Sequence, residues 1–260
     1  MKAKKSFGQH FLNQPEIARK IADSLALDNG LNRVLEVGPG TGRLTTFLLD
    51  KDFDLKVVEA DKDMVDYLGV HFLPLQGNII FKNFLRLDLE AVFEGESFAL
   101  IGNFPYNISS QILFKMVDNR QLIPEMVGMF QKEVAERVVA DPGSKTYGVI
   151  SVLIQAYYHG KYLFGVDKKC FSPPPKVQSA VIRLERKPQD GLGCDEKLFK
   201  SIVKASFGQR RKMLRNSLKP FVKNNEILGS DVFTQRPEQI SLEGFIELTN
   251  FISENQEAEQ

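Results

Sequence analysis

Cysteine is nearly absent: Cys170 and Cys194 are the only two among 260 residues. Neither sits in CxxC or any comparable ligand spacing, so no metal site is expected, and free thiols in a reducing cytoplasm fit the pair best. Long apolar runs are also missing. No stretch of about 18 apolar residues occurs, which leaves no membrane span. The opening MKAKKSFGQHFL carries the positive charge of a secretory signal without its apolar core. No internal repeat or low-complexity segment is present, and no apolar heptad points to a dimer, so a monomer is expected. Excess charge of one sign is lacking too: Lys and Arg number 34 against 33 Asp and Glu, a net +1, so bulk charge neither selects nor excludes a polyanionic partner.

What is present is ordinary globular composition, 43% hydrophobic and 26% charged, far from the disordered range. At roughly 100 to 200 residues per domain, the length allows one sizeable core and a small accessory domain. Between residues 33 and 131, short β-branched or apolar runs (33–37, 55–60, 78–81, 98–101, 125–130) alternate with stretches of helical period (43–49, 62–68, 109–118, 132–140). That alternation predicts an α/β fold, a Rossmann-like doubly wound parallel sheet. A helix over 147–158 and apolar runs at 162–166 and 179–184 are placed to finish the sheet with an antiparallel edge. The polar, Gly- and Pro-containing RKPQDGLG at 186–193 marks a boundary, giving domains 1–187 and 188–260, the second small and all-helical.

Charge is uneven along the chain. Residues 200–223 hold eight basic side chains and no acid, whereas 224–260 hold eight acids and Arg236 alone. Lys2, Lys4 and Lys5 form a separate basic cluster. Such patches mark a phosphate-binding surface or a solvated helix face, and charge alone does not choose between them.

The first strand, VLEV, runs into Gly38-Pro39-Gly40-Thr41-Gly42. Glycines at a strand-to-helix junction let the backbone turn sharply and approach a ligand closely. The spacing is GxGxG, and Pro39 removes an amide donor that a pyrophosphate would use. A phosphate-free nucleoside bearing an amino acid and a cationic sulfonium tolerates that loss. Glu59, 21 residues after Gly38 in the VVEAD that ends the second strand candidate, is placed to accept from both ribose hydroxyls. Glu36 could orient the loop or the amino acid end. After the third strand, Asn83 and Asp88 are the candidates to accept from the nucleoside's adenine amino group, although both are ordinary turn residues.

The fourth strand ends in Asn103-Phe104-Pro105-Tyr106, at the sheet edge where doubly wound folds bind ligands. The types suit methylation of an adenine amine, whose lone pair is delocalised into the ring. Two acceptors, the Asn103 side-chain oxygen and a backbone carbonyl of the Pro105 turn, can bind both N–H groups and draw the nitrogen toward tetrahedral geometry. Tyr106 offers a face for the extruded base.

With these motifs the chain resembles, over nearly its whole length, the KsgA-type small-subunit rRNA adenine N6,N6-dimethyltransferases. The matching segments are FGQHFL (7–12), EVGPGTG (36–42), VVEAD (57–61), GNFPYNISS (102–110), QKEVAERV (131–138), SKTYG (144–148), FSPPPKVQSAV (171–181) and FGQRRKMLRNSL (207–218). The resemblance implies a methyltransferase domain that uses S-adenosylmethionine to dimethylate two adjacent adenosines near the 3′ end of 16S rRNA in the assembling 30S subunit. It implies Asn103, Phe104, Pro105 and Tyr106 as the catalytic motif. Cofactor contacts would come from His10, Leu12, Glu36, Gly38, Gly40, Glu59, Asn83 and Asn103. Tyr106 and Phe171 would stack on the base, although core packing is the more ordinary fate of a phenylalanine. Arg210, Arg211, Lys212 and Arg215 would face rRNA phosphates. One departure stands out: the family carries aspartate where this chain has Asn83, and an uncharged acceptor binds more weakly. Two alternatives differ in target or class, a macrolide-resistance 23S rRNA methyltransferase and a non-catalytic assembly factor.

Overall fold

The computed structural model describes residues 10–27, 30–189, 191–223 and 225–257; the cluster Lys2, Lys4 and Lys5 lies outside the described residues. Along the chain come β1 (Phe11–Leu12), α1 (Pro15–Ala22), β2 (Arg33–Val37), α2 (Thr45–Leu49), β3 (Asp54–Glu59), α3 (Lys62–His71), β4 (Ile79–Phe81), β5 (Ala99–Asn103), α4 (Ser109–Asp118) and β6 (Glu125–Gln131). Next are α5 (Lys132–Val138), α6 (Val149–Gln155), β7 (Tyr158–Val166), β8 (Phe171–Ser172) and β9 (Ser179–Arg186), then the helices α7 (Glu196–Gly208), α8 (Leu214–Ser217), α9 (Asp231–Thr234) and α10 (Leu242–Glu257).

Two compact units result, one holding the described residues up to Ala135 together with His159–Arg186, the other Glu136–Tyr158 and the residues from Lys187 onward. In the first unit, seven strands form one sheet in the order β4-β3-β2-β5-β6-β9-β7. Strands β2 to β6 pair in parallel and β9 runs antiparallel to β6. The parallel strands lie within two residues of the expected ones. Their near-continuous apolar runs follow from burial on both faces: every residue of β2 after Arg33 is buried.

The strand order positions the site. From β2 the chain winds outward to β3 and β4, then returns so that β5 pairs with β2 on its other side. At such a reversal the connections leave in opposite directions and open a crevice beyond the carboxyl ends of the two strands. The glycine loop follows β2, and β5 ends at Asn103.

Two features lay outside the sequence reading. Helix α1 begins with proline at its first turn, where the missing N–H costs nothing, and buries Ala18, Ile21 and Ala22. The short pair β1 and β8 is antiparallel, with Phe11 opposite Ser172 and Leu12 opposite Phe171. It brings the segment around His10 onto the sheet's carboxyl edge.

The division of the chain differs from the expected 1–187 and 188–260, because Glu136–Tyr158 belongs with the C-terminal helices. Buried Tyr147 explains this: its ring meets Phe207 edge-on at 5.9 Å and its hydroxyl donates to the Ile240 carbonyl at 3.0 Å. Phe207 in turn packs on Phe245. The helix expected over 147–158 is shorter, Val149–Gln155, since Gly148 caps it in an extended conformation and Tyr158 already begins β7. Asp195 caps α7 by accepting from the amides of Lys197 and Leu198.

Candidate active site

A cavity of about 260 Å³ opens at the strand-order reversal, large enough for a nucleoside rather than a single ion. Its lining includes His10, Leu12, Glu36, Gly38, Gly40, Glu59, Asn83, Asn103, Phe104, Pro105 and Tyr106, together with Arg43 and Lys82, which the sequence had not singled out. All belong to the first unit.

The glycine loop takes its shape from backbone conformations that side chains disfavour. Gly38 has φ +67° and Gly40 has φ +55°, and a Cβ on Gly40 would also press to 3.1 Å from the Phe11 ring. A Cβ on Gly38 would meet nothing within 4 Å, so its backbone faces open space.

The two glutamates divide their labour differently from the sequence expectation. Glu59 holds the loop: Oε2 accepts from Gly40 N at 3.1 Å, while Oε1 accepts from Ala60 N at 2.8 Å and Asp61 N at 2.9 Å. A carboxylate has about four acceptor positions, and three are taken. Room therefore remains for one further donor on Oε2, not for two ribose hydroxyls on separate oxygens. Glu36 points to the start of α2, its Oε2 accepting from Thr45 Oγ1 at 2.7 Å.

Both carboxyls are raised above the ordinary range. Burial pushes Glu36 up to about 8, the Thr45 hydroxyl opposing and the nearby Glu59 adding to the rise. Burial likewise raises Glu59 against its three amide donors, with Asp61 adding to the rise. The loop has few free donors for a phosphate, since the Gly40 amide is committed to Glu59 and Pro39 has no N–H, and a positive charge nearby would favour the ionised form of both carboxyls.

Across the cavity, the amide of Asn103 is oriented by its partner. Nδ2 donates to the His10 carbonyl at 3.1 Å, so Oδ1 is the atom left to accept. The Pro105 carbonyl is already engaged by Ile108 N at 3.2 Å and Ser109 Oγ at 3.4 Å, which leaves the adjacent Phe104 carbonyl as the acceptor the turn can offer. The Phe104 side chain is buried, tilted against Phe130 with ring centroids 4.9 Å apart. It anchors the turn by packing. A Cβ on Gly128 would lie 2.3 Å from Phe104 and 2.6 Å from Phe130, so only glycine admits both rings.

Tyr106 is pinned at its hydroxyl, 2.5 Å from Ser179 Oγ. The His10 ring stacks on it at 5.6 Å and 27°, with His10 Nδ1 held 2.8 Å from the Pro173 carbonyl. His10 thus supports the turn through its backbone oxygen and its ring.

The remaining expected residues are distributed as follows. Asn83 is exposed at the cavity's edge, and its Oδ1 already accepts from Leu85 N at 2.9 Å. Asp88 caps the next turn through Glu90 N and does not line the cavity. Phe171 is corrected: it is 2% exposed, in one core cluster with Leu12, Ile21 and Val166, and is absent from the cavity wall. Its pairing with Leu12 in the β1–β8 ladder drives it inward. Of the basic group, Arg211, Lys212 and Arg215 are exposed in the second unit. Arg210 is half-buried and donates to the Ser144 carbonyl at 3.2 Å, so it carries structure there. Thr45 and Ser179 had no local signal; each is recognisable only from the partner it holds.

Residues 1–244 match the family model for ribosomal RNA adenine dimethylases. The chain is 55% identical over 256 residues to the ribosomal RNA small subunit methyltransferase A of Parabacteroides distasonis, covering 96% of this chain and 93% of that protein. Its identity to the protein of the same name from Flavobacterium johnsoniae is 52% over 252 residues, covering 97% and 96%. Among solved structures, a dimethyladenosine transferase from Plasmodium falciparum is similar with TM-score 0.80 at 24% identity, over 95% of this chain and 98% of that one. The 23S rRNA methyltransferase ErmE gives TM-score 0.66 at 25% identity, over 92% and 99%.

The buried floor makes stability depend on pH. A carboxyl whose native value is raised stabilises the fold below its unfolded-state value, and that contribution is lost as pH rises through the native one. For Glu36 the window runs from 4.5 to about 8. Urea midpoints measured from pH 5 to 8.5 should fall more steeply for the wild type than for Glu36→Gln; parallel profiles would contradict the assignment.

Proposed function

The chain belongs to the ribosomal RNA adenine dimethylase family, and on that premise we propose that it methylates the N6 amino groups of two adjacent adenosines near the 3′ end of 16S rRNA. It does so twice per nitrogen, with S-adenosylmethionine as donor, on the assembling 30S subunit, acting as a cytoplasmic monomer. No described helix is long and apolar enough to cross a membrane. The observation that carries the reading is that the Asn103 acceptor and the acid-floored glycine loop line one cavity.

S-adenosylmethionine bound there would supply an electrophilic methyl on a cationic sulfonium. The chain's own residues do the rest. Gly38 and Gly40 let the backbone come close to the ligand, Glu59 offers its remaining acceptor position to the ribose, and Asn83 lies on the adenine side. Asn103 Oδ1 and the Phe104 carbonyl accept the two N–H groups of the target amine in the first transfer, and one of them accepts the single N–H that remains in the second. Holding both in one direction localises the nitrogen lone pair toward the methyl, a gain in orientation rather than in basicity. Tyr106 supplies a stacking surface worth about 1–3 kcal/mol per base. Since one face carries His10, the target adenine would use the other.

Phosphate contacts fall to Arg211, Lys212 and Arg215. They would supply salt-dependent affinity while particle shape selects the target. Charge reversal at Arg211 and Lys212 should weaken particle binding and flatten its logarithmic salt dependence by about one to two, since each phosphate contact contributes roughly 0.7 to 0.9. The affinity for S-adenosylmethionine should be unchanged; its loss would contradict the separation of the two surfaces.

The reaction itself is tested with labelled S-adenosylmethionine offered to unmodified small-subunit particles and, in parallel, to unmodified 23S rRNA, followed by nucleoside mass spectrometry. N6,N6-dimethyladenosine in 16S rRNA is the predicted product. Label confined to 23S rRNA would instead support a reading of the ErmE kind. Cofactor binding without transfer to any RNA would make the chain a non-catalytic factor.

A further inference from the structure

We propose that Lys115 is a positioning residue for the cofactor's adenine, acting through Asn83 and holding the Asn83 turn against the helix that grows out of the catalytic turn. The inference rests on the cofactor reading above and extends it to a residue outside the cavity lining.

The Asn103–Tyr106 segment runs through a 3-10 turn, Tyr106–Ile108, straight into α4. Ser109, the first residue of α4, ties back to it by donating to the Tyr106 carbonyl at 3.2 Å. Lys115 lies on the same helix, less than two turns later. Its Nζ reaches the loop after β4, donating to the Leu87 carbonyl at 2.6 Å and the Leu85 carbonyl at 3.3 Å. The ammonium also sits 5.5 Å from the centroid of the Phe84 ring.

That loop is the adenine side of the cavity, where Lys82, Asn83 and Phe84 line the wall. Asn83 caps the Phe84–Arg86 turn through the Leu85 N–H. The Leu85 residue is therefore gripped from both ends: its N–H by Asn83, its carbonyl by Lys115. If the Lys115 bond is lost, the turn that orients the Asn83 amide is free to shift, and with it the group facing the adenine.

Packing alone does not account for a lysine here. The side chain is half-buried, and burial lowers its pKa against the attraction of Asp88. A methionine would fill the space without the cost of desolvating an ammonium. What methionine lacks is a donor for the Leu85 and Leu87 carbonyls.

The test compares Lys115→Met, Lys115→Arg, Asn83→Ala and the Lys115→Met/Asn83→Ala double variant. Calorimetric Kd for S-adenosylmethionine, steady-state KM and kcat on unmethylated small-subunit particles, and urea midpoints are measured for each. Lys115→Met should raise Kd and KM for the cofactor roughly tenfold, the size of one charge-assisted bond, while kcat falls less than about threefold. Lys115→Arg should recover most of the affinity, and Lys115→Met should cost little further affinity in the Asn83→Ala background. Unchanged Kd in Lys115→Met overturns the inference, as does an equal loss with and without Asn83. Should Lys115→Met fail to fold, Lys115→Gln keeps an NH₂ donor and should show an intermediate loss; no loss overturns the inference equally. A wild-type chain that does not bind S-adenosylmethionine removes the cofactor reading and this inference with it. A wild type that binds beside a Lys115→Met that binds equally removes this inference alone.

Discussion

One hydrogen bond decides which way the amide of Asn103 faces. An asparagine side chain carries a donor and an acceptor of nearly equal shape, and at a strand end it could present either to a ligand. Here Nδ2 is committed to the His10 carbonyl, which leaves Oδ1 as the amide's acceptor. An amine that must be held by acceptors needs that orientation. The opposite one would set two donors facing each other.

The architecture can be understood as what keeps this bond in place. His10 reaches Asn103 because β1 pairs with β8, and its ring is braced between Tyr106 and the Pro173 carbonyl. The turn after Asn103 is anchored by the burial of Phe104 against two glycines, 102 and 128, and by the Tyr106–Ser179 bond. On the opposite wall, Glu59 holds the glycine loop through the Gly40 amide. Glu59 therefore has two parts to play: it shapes the loop and keeps an acceptor position toward the cavity. Burying acids together is unfavourable in the empty fold and becomes less so with a cation beside them.

How much of this was legible in the sequence follows the range of the interactions. The central parallel strands were readable because burial imposes apolar runs, as in β2, β5 and β6, and the glycine loop and Asn103–Tyr106 because each is a contiguous device at a strand end. The pairing of β1 with β8 joins segments some 160 residues apart and left no local trace, so the inward fate of Phe171 was hidden. Glu36 and Glu59 were both identified, yet their partners, Thr45 and Gly40, are set by how strands and loops meet. The grouping of Glu136–Tyr158 with the C-terminal helices escaped a boundary drawn from loop composition, because it depends on Tyr147 meeting Phe207. Arg210 read as one of four equivalent cations until its bond to Ser144 distinguished it.

The orientation of Asn103 is tested most directly by kinetics of Asn103→Ala on unmethylated small-subunit particles, with cofactor affinity measured alongside. The account predicts that kcat falls by roughly 10² or more, as when a single preorganised contact to a reacting group is removed, while Kd for S-adenosylmethionine changes far less. A variant that dimethylates at the wild-type rate, or one whose whole defect is lost cofactor binding, would contradict it.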